Sequence, residues 1–585
     1  MISKIYARLA GALPSAVLYF FAGLVLYLVL LPIILLMLSG FKPEGLAINP
    51  GFTLSFYIEL YSSVRTYKLL LNTIAFAAGS TVVTLCLSIF LAWTIERTNI
   101  GHKGLLRAVI IAPMGVSPML TAMGWVLLAS PKIGFFNTLL QSVFNLSEAP
   151  LNIYGLPGMI FVQGLTAVPG AFLLLCFAFR NMDPAFEDAS AVSGVGVLAT
   201  LRRVVLPILR PGILSVSILT FIIGMSVFDV AGIIGMPANI EVLSIKLYWA
   251  VQDPLGIPDF GGASSLATLF FICILILSYV YNRQTKTVAK FSTITGREFK
   301  PKILDLGKWR YAVIAIIGCY LLLATGLPMA MLLWQSFCPY YAPVSLDMLQ
   351  SFSLNNYRAL MAYPRVVLAT RNTLIVAGIS ATVLVFLSTI VSWIIVRSKY
   401  RWRRILDVIT MLPMSMPHMM LGLALIYVYL TFKVGIYGTI WIIIVGFVTT
   451  YMTYATRLIN STMFQINKEL EEAAEVSGAS MFRMFRTIIL PLLVPSMIGL
   501  WVWVLVHVMR ELSLALMLQS SKNYMLTTLI WNMWDDGDIP QLAIIGIGMT
   551  AFLFLVMMAG HGIGRLFDMG RGSGILGKRE LTVMK

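Results

Sequence analysis

Charged residues are scarce in this sequence. Asp, Glu, Lys and Arg make up 11% of its 585 residues, whereas apolar residues reach 59%; a typical globular protein has roughly 25% charged residues. So few charges cannot cover the surface of a large soluble fold. Uncharged segments longer than the roughly 20 helical residues that cross a bilayer core occur at 16–39, 69–95, 108–131, 372–396, 408–432 and 539–564. The chain is predicted to be an all-α polytopic membrane protein.

Cysteine is also scarce, and no catalytic pattern is visible. The five cysteines are scattered without a C-x-x-C pair, which is typical of apolar packing residues rather than of disulfides or a metal site. No nucleophile is accompanied by a base. The phosphate-loop-like G-x(4)-G-K at 572–578 is followed by Arg579, where Ser or Thr must bind Mg²⁺. We therefore expect no catalytic residue, no metal site and no cofactor in this chain.

The positive charges are distributed as in a multi-pass membrane protein. Twelve spans are predicted near 16–39, 69–95, 108–130, 155–179, 211–233, 262–282, 311–336, 370–396, 408–431, 435–456, 494–517 and 541–564. With a cytoplasmic N-terminus, 31 of the 42 Lys and Arg lie in inside segments and 9 in outside loops. This asymmetry places both termini in the cytoplasm. The net charge of +17 therefore reflects topology, and no nucleic-acid partner is expected.

The chain contains one unit twice. Trp93 recurs as Trp393 and Asn72-Thr73 as Asn372-Thr373, an offset of 300, and later motifs recur at an offset of 284. We predict a first six-span half at 1–282, a basic cytoplasmic linker at 283–310 and a second half at 311–585. Because six is even, both halves have the same orientation, so the repeat is parallel, with a pseudo-twofold axis along the membrane normal.

One cytoplasmic loop breaks the hydrophobic pattern in each half, between its fourth and fifth spans. Asp183 and Asn467 are predicted helix N-caps, because their side chains can accept a free amide of the first turn. Acidic residues near the positive helix end follow each cap. Gly194 and Gly478 are predicted to end the short helices, since glycine readily adopts the left-handed conformation.

These loops resemble those of permease subunits of ATP-binding-cassette (ABC) importers. The family pattern E-x-A-x(4)-G-x(11)-L-P is met twice. Its residues, with the adjacent acids, are Glu187, Asp188, Ala189 and Gly194 in the first copy, and Glu471, Glu472, Ala473 and Gly478 in the second. Asp188 and Ser190 depart from the family's Glu-Ala-Ala, which suggests that the two copies make non-equivalent contacts.

The resemblance implies a type I importer permease that catalyses nothing itself. Each short helix would dock onto one of two copies of a cytoplasmic ATPase, which carry the ATP and Mg²⁺, and a periplasmic protein would deliver the substrate across the inner membrane. From the residues alone, the alternative is an amphipathic helix resting on the membrane surface. Repulsion between its acids and anionic headgroups disfavours that alternative.

Three charged residues are predicted inside the membrane: Asp229 in span five, and Arg510 and Glu511 in span eleven. Ionisable groups in spans are costly and usually functional. We hypothesise that Asp229 and Glu511, aligned by the repeat at an offset of 282, flank the translocation pathway while Arg510 balances their charge. The alternative is a structural ion pair between the two spans.

Two further stretches bear on the substrate. The stretches M-R-E-L-S and L-I-W-N-M-W-D-D-G-D resemble the ferric-iron branch of the importer permeases. Related permeases carry polyamines, thiamine, phosphonates or phosphorylated small molecules, so those substrates stay open. A secondary transporter of the major-facilitator type also has twelve spans in parallel halves. That class does not explain an acidic loop between the fourth and fifth spans of both halves.

Overall fold

A computed structural model describes residues 2–252, 258–292, 304–398 and 402–576. Its α-helices in the first half are α1 Ile2–Ser39, α2 Ser55–Ser62, α3 Val64–Arg97, α4 Lys103–Ile111, α5 Pro118–Ala129, α6 Phe135–Phe144, α7 Leu156–Arg180, α8 Ala185–Val192, α9 Val197–Thr200, α10 Leu206–Ser226, α11 Leu243–Gln252 and α12 Phe260–Ser292. A 3₁₀ helix covers Ala112–Gly115, and π-helical turns cover Leu201–Val205 and Ala231–Gly235.

The described part of the second half has a similar order of helices, without a counterpart of α6 and with an additional short helix at Leu346–Gln350. Its α-helices are α13 Trp309–Leu321, α14 Leu327–Phe337, α15 Leu346–Gln350, α16 Asn355–Met361, α17 Pro364–Arg397, α18 Arg403–Ile409, α19 His418–Thr431, α20 Ile440–Gln465, α21 Glu469–Val476, α22 Met481–Met484, α23 Leu490–Arg510, α24 Ser513–Met517, α25 Leu526–Asp536 and α26 Ile539–Leu576. A 3₁₀ helix covers Leu412–Ser415, and π-helical turns cover Leu322–Gly326 and Phe485–Ile489. No strand is assigned within the described ranges, which confirms the predicted all-α class.

Ten of the twelve predicted spans are single apolar helices, whereas spans three and nine are broken. The two parts of span three meet at 87°, and those of span nine at 111°. The break has a local cause, because a proline pushes the preceding residue out of the helical region. Ser117 before Pro118 and Met416 before Pro417 are both extended. Hydropathy alone predicted one uninterrupted span at each of these positions, 108–130 and 408–431.

Each bent pair still completes one crossing of the membrane. The helices on either side of it run parallel: Thr84 on α3 donates to the Gly164 carbonyl on α7 at 2.9 Å, and Arg97 donates to Phe179 further along both helices. In the second half, Ser392 on α17 donates to Thr456 on α20 in the same way. Since two parallel neighbours cannot be joined without a return crossing, the bent pairs bring the number of crossings within the described residues to twelve.

The first helix of each half packs on the other half. Helix α1 of the first half lies along α19 of the second half, and α14 of the second half lies along α5 of the first half. The Tyr427 hydroxyl on α19 donates to the Phe260 carbonyl at the start of α12 at 2.6 Å and accepts a hydrogen bond from Ser264. The two halves are therefore interlocked rather than merely joined by the linker.

The linker region is attached to the first half. Helix α12 continues to Ser292, and the predicted linker residues 293–303, with three of its basic side chains, lie outside the described ranges, as do Lys578 and Arg579. The Leu304 amide donates to the Arg97 carbonyl at 2.9 Å, and the Asn99 amide donates to the Leu304 carbonyl. The Gly307 amide and the Asn99 side chain lower the pKa of Asp305.

Candidate functional site

The two predicted loop helices are present, as α8 and α21. The Asp183 carboxylate accepts the Ala185 amide at 2.9 Å, and the Asn467 side chain accepts the Glu469 amide at 3.3 Å, so both predicted caps are confirmed. Just beyond the helices, Gly194 has φ +75° and Gly478 has φ +74°. Both glycines therefore take the predicted left-handed conformation.

A buried ion pair anchors α8. The Arg97 guanidinium, at the end of α3, lies 3.4 Å from the Glu187 carboxylate, and the two side chains are 1% and 6% exposed. Arg97 also donates to the carbonyls of Phe179 (2.8 Å) and Met182 (3.0 Å), at the end of α7. One arginine therefore joins the ends of two spanning helices to the short helix between the fourth and fifth spans.

The second half repeats this arrangement. Arg397, at the end of α17, lies 2.7 Å from Glu471 on α21 and donates to the carbonyls of Met463 (3.1 Å) and Ile466 (2.7 Å). Buried charges of this kind are stable only when they are paired and hydrogen-bonded. Glu187 and Glu471 of the family pattern thus anchor the short helices to the ends of the spanning helices.

The two arginines were not among the predicted site residues. Arg97 and Arg397 differ by 300 positions, the same offset as Trp93 and Trp393 four residues earlier. That repeat was the available signal, because charged residues that recur at the ends of two spans are candidates for a shared function. The repeat does not indicate which acid each arginine pairs with.

Each short helix exposes an apolar face. On α8 the exposed residues Phe186, Ala189 and Val192 are three positions apart, and on α21 the corresponding residues are Leu470, Ala473 and Val476. Residues spaced in this way lie on one side of a helix. Val192 and Val476 are both 90% exposed. We call these two triplets the docking faces.

The flanking residues differ in chemistry between the copies. Asp188 and Glu472 are both exposed beside the docking faces. The Ser190 hydroxyl is buried and lies 2.8 Å from the Thr200 hydroxyl, whereas its counterpart Ala474 is simply buried. The substitution of Ser for Ala therefore changes the attachment of α8 to the following helix, and not its exposed face.

The three charged membrane residues lie at matching helix ends. Helix α10 ends at Ser226 and α23 at Arg510, and the next residue, Val227 or Glu511, is extended. The Ser244 hydroxyl donates to the Val227 carbonyl at 2.8 Å, and the Thr527 hydroxyl donates to the Glu511 carbonyl at 3.0 Å. These bonds make Val227 the repeat counterpart of Glu511, so the predicted alignment of Asp229 with Glu511 was wrong by two residues.

The buried carboxylates have different surroundings. Glu511 lies 2.8 Å from His418 Nδ1 and accepts the Leu514 amide at 3.0 Å. Asp229 is 7% exposed, and its Oδ1 has no hydrogen-bond partner among the described residues. The position of Glu511 is thereby fixed by a histidine at the start of α19, which was not among the predicted site residues.

The Arg510 guanidinium is hydrogen-bonded to a backbone carbonyl rather than paired with either carboxylate. The guanidinium donates to the Met114 carbonyl in the bend of span three, and the Arg510 carbonyl accepts the Ser117 hydroxyl at 3.2 Å. Within the described ranges it forms no ion pair with Asp229 or Glu511. Arg510 therefore connects the second half to the first, and the alternative of a structural ion pair through this residue is not observed.

Similar proteins belong to membrane transport systems. Residues 385–570 match the family described as "Binding-protein-dependent transport system inner membrane component". The ferric transport system permease FbpB of Actinobacillus pleuropneumoniae is 24% identical over 484 residues, 80% of this chain and 67% of that protein. The Fe(3+)-transport system permease FbpB 2 of Haemophilus influenzae is 23% identical over 494 residues, 84% of this chain and 88% of that protein.

A crystal structure of a bacterial ABC transporter involved in alginate import aligns with 44% of this chain and 94% of its own, at a TM-score of 0.36 and 19% identity. The family match and the permease relatives confirm the resemblance that the loop motifs predicted. Together with ten or more apolar helices, they identify a multi-pass inner-membrane protein.

Proposed function

We propose that this chain is the membrane permease of an ATP-driven importer that receives its substrate from a periplasmic binding protein. The observation that carries the proposal is the pair of docking faces, each on a short helix anchored by a buried Arg–Glu pair. An exposed apolar face is costly in water unless a partner covers it. Its repetition at equivalent positions in both halves fits two copies of one partner.

In this proposal, the partners are two cytoplasmic ATPases that bind the ATP and Mg²⁺. Closure of the ATPase dimer displaces α8 and α21, and the Arg97–Glu187 and Arg397–Glu471 pairs transfer that displacement to the ends of the spanning helices. The halves then rock between inward-open and outward-open states. The cycle is driven because the two states differ in affinity for the ATPases and for the binding protein.

We further propose ferric iron as the substrate, with both termini in the cytoplasm. The support is that the relatives FbpB and FbpB 2 are permeases of ferric-iron transport systems, together with two buried carboxylates suited to a cation pathway. A polyamine, thiamine, a phosphonate or another phosphorylated molecule would use the same importer class. The rival from another class, a major-facilitator-type secondary transporter, leaves the two docking faces without a partner.

Uptake into proteoliposomes tests this function. The chain, its ATPase and its binding protein loaded with ⁵⁵Fe³⁺ are expected to give uptake that requires ATP and stops when the ATPase is inactivated. Uptake that follows an ion gradient without ATP would establish the secondary transporter instead. ATP-driven uptake of a polyamine or a phosphorylated compound, without uptake of iron, would support the importer permease but contradict ferric iron as its substrate.

Neutralising the membrane carboxylates is expected to reduce uptake at least about tenfold in Asp229→Asn/Glu511→Gln. A cation loses counter-charges where water is scarce, and about 1.4 kcal/mol corresponds to a factor of ten. The measurement is initial ⁵⁵Fe³⁺ uptake at equal amounts of reconstituted complex. The control, Glu148→Gln/Asp347→Asn, removes two exposed outer-loop carboxylates. Normal uptake by the membrane double variant would remove the pathway role.

A further inference from the structure

Two residues that the repeat makes equivalent touch each other between the halves. The Leu243 amide donates to Thr73 at 3.0 Å, and the Leu526 amide donates to Thr373 at 2.8 Å, so Leu243 and Leu526 occupy matching positions. Five residues further on, Tyr248 on α11 corresponds to Trp531 on α25. Their ring centroids are 6.0 Å apart, edge to face. The pseudo-twofold axis relates each residue of one half to its counterpart in the other half. Two counterparts that touch each other must therefore lie beside this axis.

A third ring completes this cluster, which we call the axial rings. Phe228 lies 5.1 Å from the Trp531 ring and 5.2 Å from the Tyr248 ring, centroid to centroid. Phe228 is fully buried and Trp531 is 6% exposed. A Cβ atom on Gly232 would come within 2.7 Å of the Trp531 ring, so this ring packs closely against the backbone of the first half. The axis is therefore filled by apolar side chains.

The axial rings lie on the outer side of the spanning helix α10. That helix starts at the cytoplasmic loop, so residues beyond its end at Ser226 lie toward the outside. Phe228 immediately precedes the buried Asp229. The rings thus close the axis directly beside a carboxylate of the proposed pathway. An apolar plug of this kind excludes both water and ions.

We propose that Phe228, Tyr248 and Trp531 form the outer gate of the translocation pathway, closed in this structure. The inference rests on the proposed function, because a gate at the axis requires substrate to pass between the halves. Tyr248 and Trp531 belong to different halves, so rocking of the halves separates these two rings. The same contact, if it never opens, is ordinary packing that holds the halves together.

Reversible cross-linking distinguishes these cases. Tyr248→Cys/Trp531→Cys is made in a variant whose five native cysteines are replaced by serine, and a short bis-methanethiosulfonate reagent joins the pair. We expect cross-links in the nucleotide-free complex, and at least a severalfold lower yield after vanadate trapping with ATP and binding protein. Cross-linking should reduce ⁵⁵Fe³⁺ uptake at least tenfold, and a reducing agent should restore it.

The control is Ser392→Cys/Thr456→Cys, which joins α17 to α20 within one half. Its yield should be independent of nucleotide, and its cross-link should leave uptake unchanged. Wild-type uptake by the cross-linked axial pair, or a yield that never changes, would assign the axial rings to permanent packing. Absence of ATP-driven uptake in the wild type would instead defeat the proposed function, while the change in cross-link yield would still decide whether the rings separate.

A wedge variant gives a second measurement on a folded protein. Gly232→Ala should displace the Trp531 ring and raise ATP hydrolysis in the absence of binding protein severalfold, because the outer side no longer closes fully. Gly499→Ala, at a helical glycine with nothing within 4 Å of the added Cβ, is the control. Unchanged hydrolysis with Gly232→Ala would contradict a gate at this position.

Discussion

The double variant Val192→Asp/Val476→Asp is expected to lose ATPase binding at least about a hundredfold. Each substitution places a carboxylate on a docking face, at a valine that is 90% exposed. A partner that covers this face would bury an unpaired charge, which costs several kcal/mol. Two such sites act together in one complex. The measurement is the amount of ATPase retained by detergent-solubilised permease over a range of ATPase concentrations.

The matched control carries the same substitution on the other side of the membrane. Val64, at the outer end of α3, is 83% exposed, and Val64→Asp should leave ATPase binding unchanged. The single variants at Val192 and Val476 also test the predicted non-equivalence of the two contacts, which would appear as unequal losses. Full binding by the double variant would show that the partner does not use these faces.

The second large effect is expected from Arg97→Ala. This substitution leaves Glu187 buried without its arginine and removes donors from the carbonyls of Phe179 and Met182. Breaking a buried pair in this way costs about 3–5 kcal/mol. We expect a clear fall in the thermal unfolding temperature in detergent, and weaker ATPase binding because α8 loses its anchor. Glu187→Gln should be milder, since it keeps the side-chain shape and both carbonyl bonds.

A weaker ion pair in the same chain supplies the control. Arg457 and Asp407 lie 3.0 Å apart, but their side chains are 38% and 35% exposed. Pairs exposed to solvent contribute about 0–1 kcal/mol, so Arg457→Ala should change the unfolding temperature little. In a double-mutant cycle, Arg97→Met/Glu187→Met should be less destabilised than the sum of its single variants. Additive effects would mean that the two side chains do not act as a pair.

Features with a local cause were predictable from the sequence. The caps Asp183 and Asn467 and the terminal glycines were correctly placed, because each depends on a few adjacent residues. The internal repeat also made it possible to predict that each half contains six spans in the same order. Hydropathy missed the bends before Pro118 and Pro417, since it averages over a window and is insensitive to a single residue that leaves the helical region.

Long-range pairings were not predictable. Glu187 meets an arginine 90 positions earlier, and Glu511 meets a histidine 93 positions earlier. A single sequence gives the spacing of such groups but not which ends of the helices come together. The two-residue error in aligning Asp229 had a related origin, because the helix break that sets the true alignment at Val227 is not visible in the hydropathy pattern.

Helix α3 contacts a different functional segment near each of its ends. Thr73 holds the segment leading to Tyr248, and Arg97 holds the cytoplasmic helix α8. About 36 Å of helix without a proline separates them, at 1.5 Å per residue. Helix α17 connects Thr373 and Arg397 in the same way. Each half thus contains one continuous rod between the segment that carries an axial ring and the short helix that carries a docking face. In the proposed cycle, a push on α8 or α21 would therefore reach the outer ends of the bundle as a rotation.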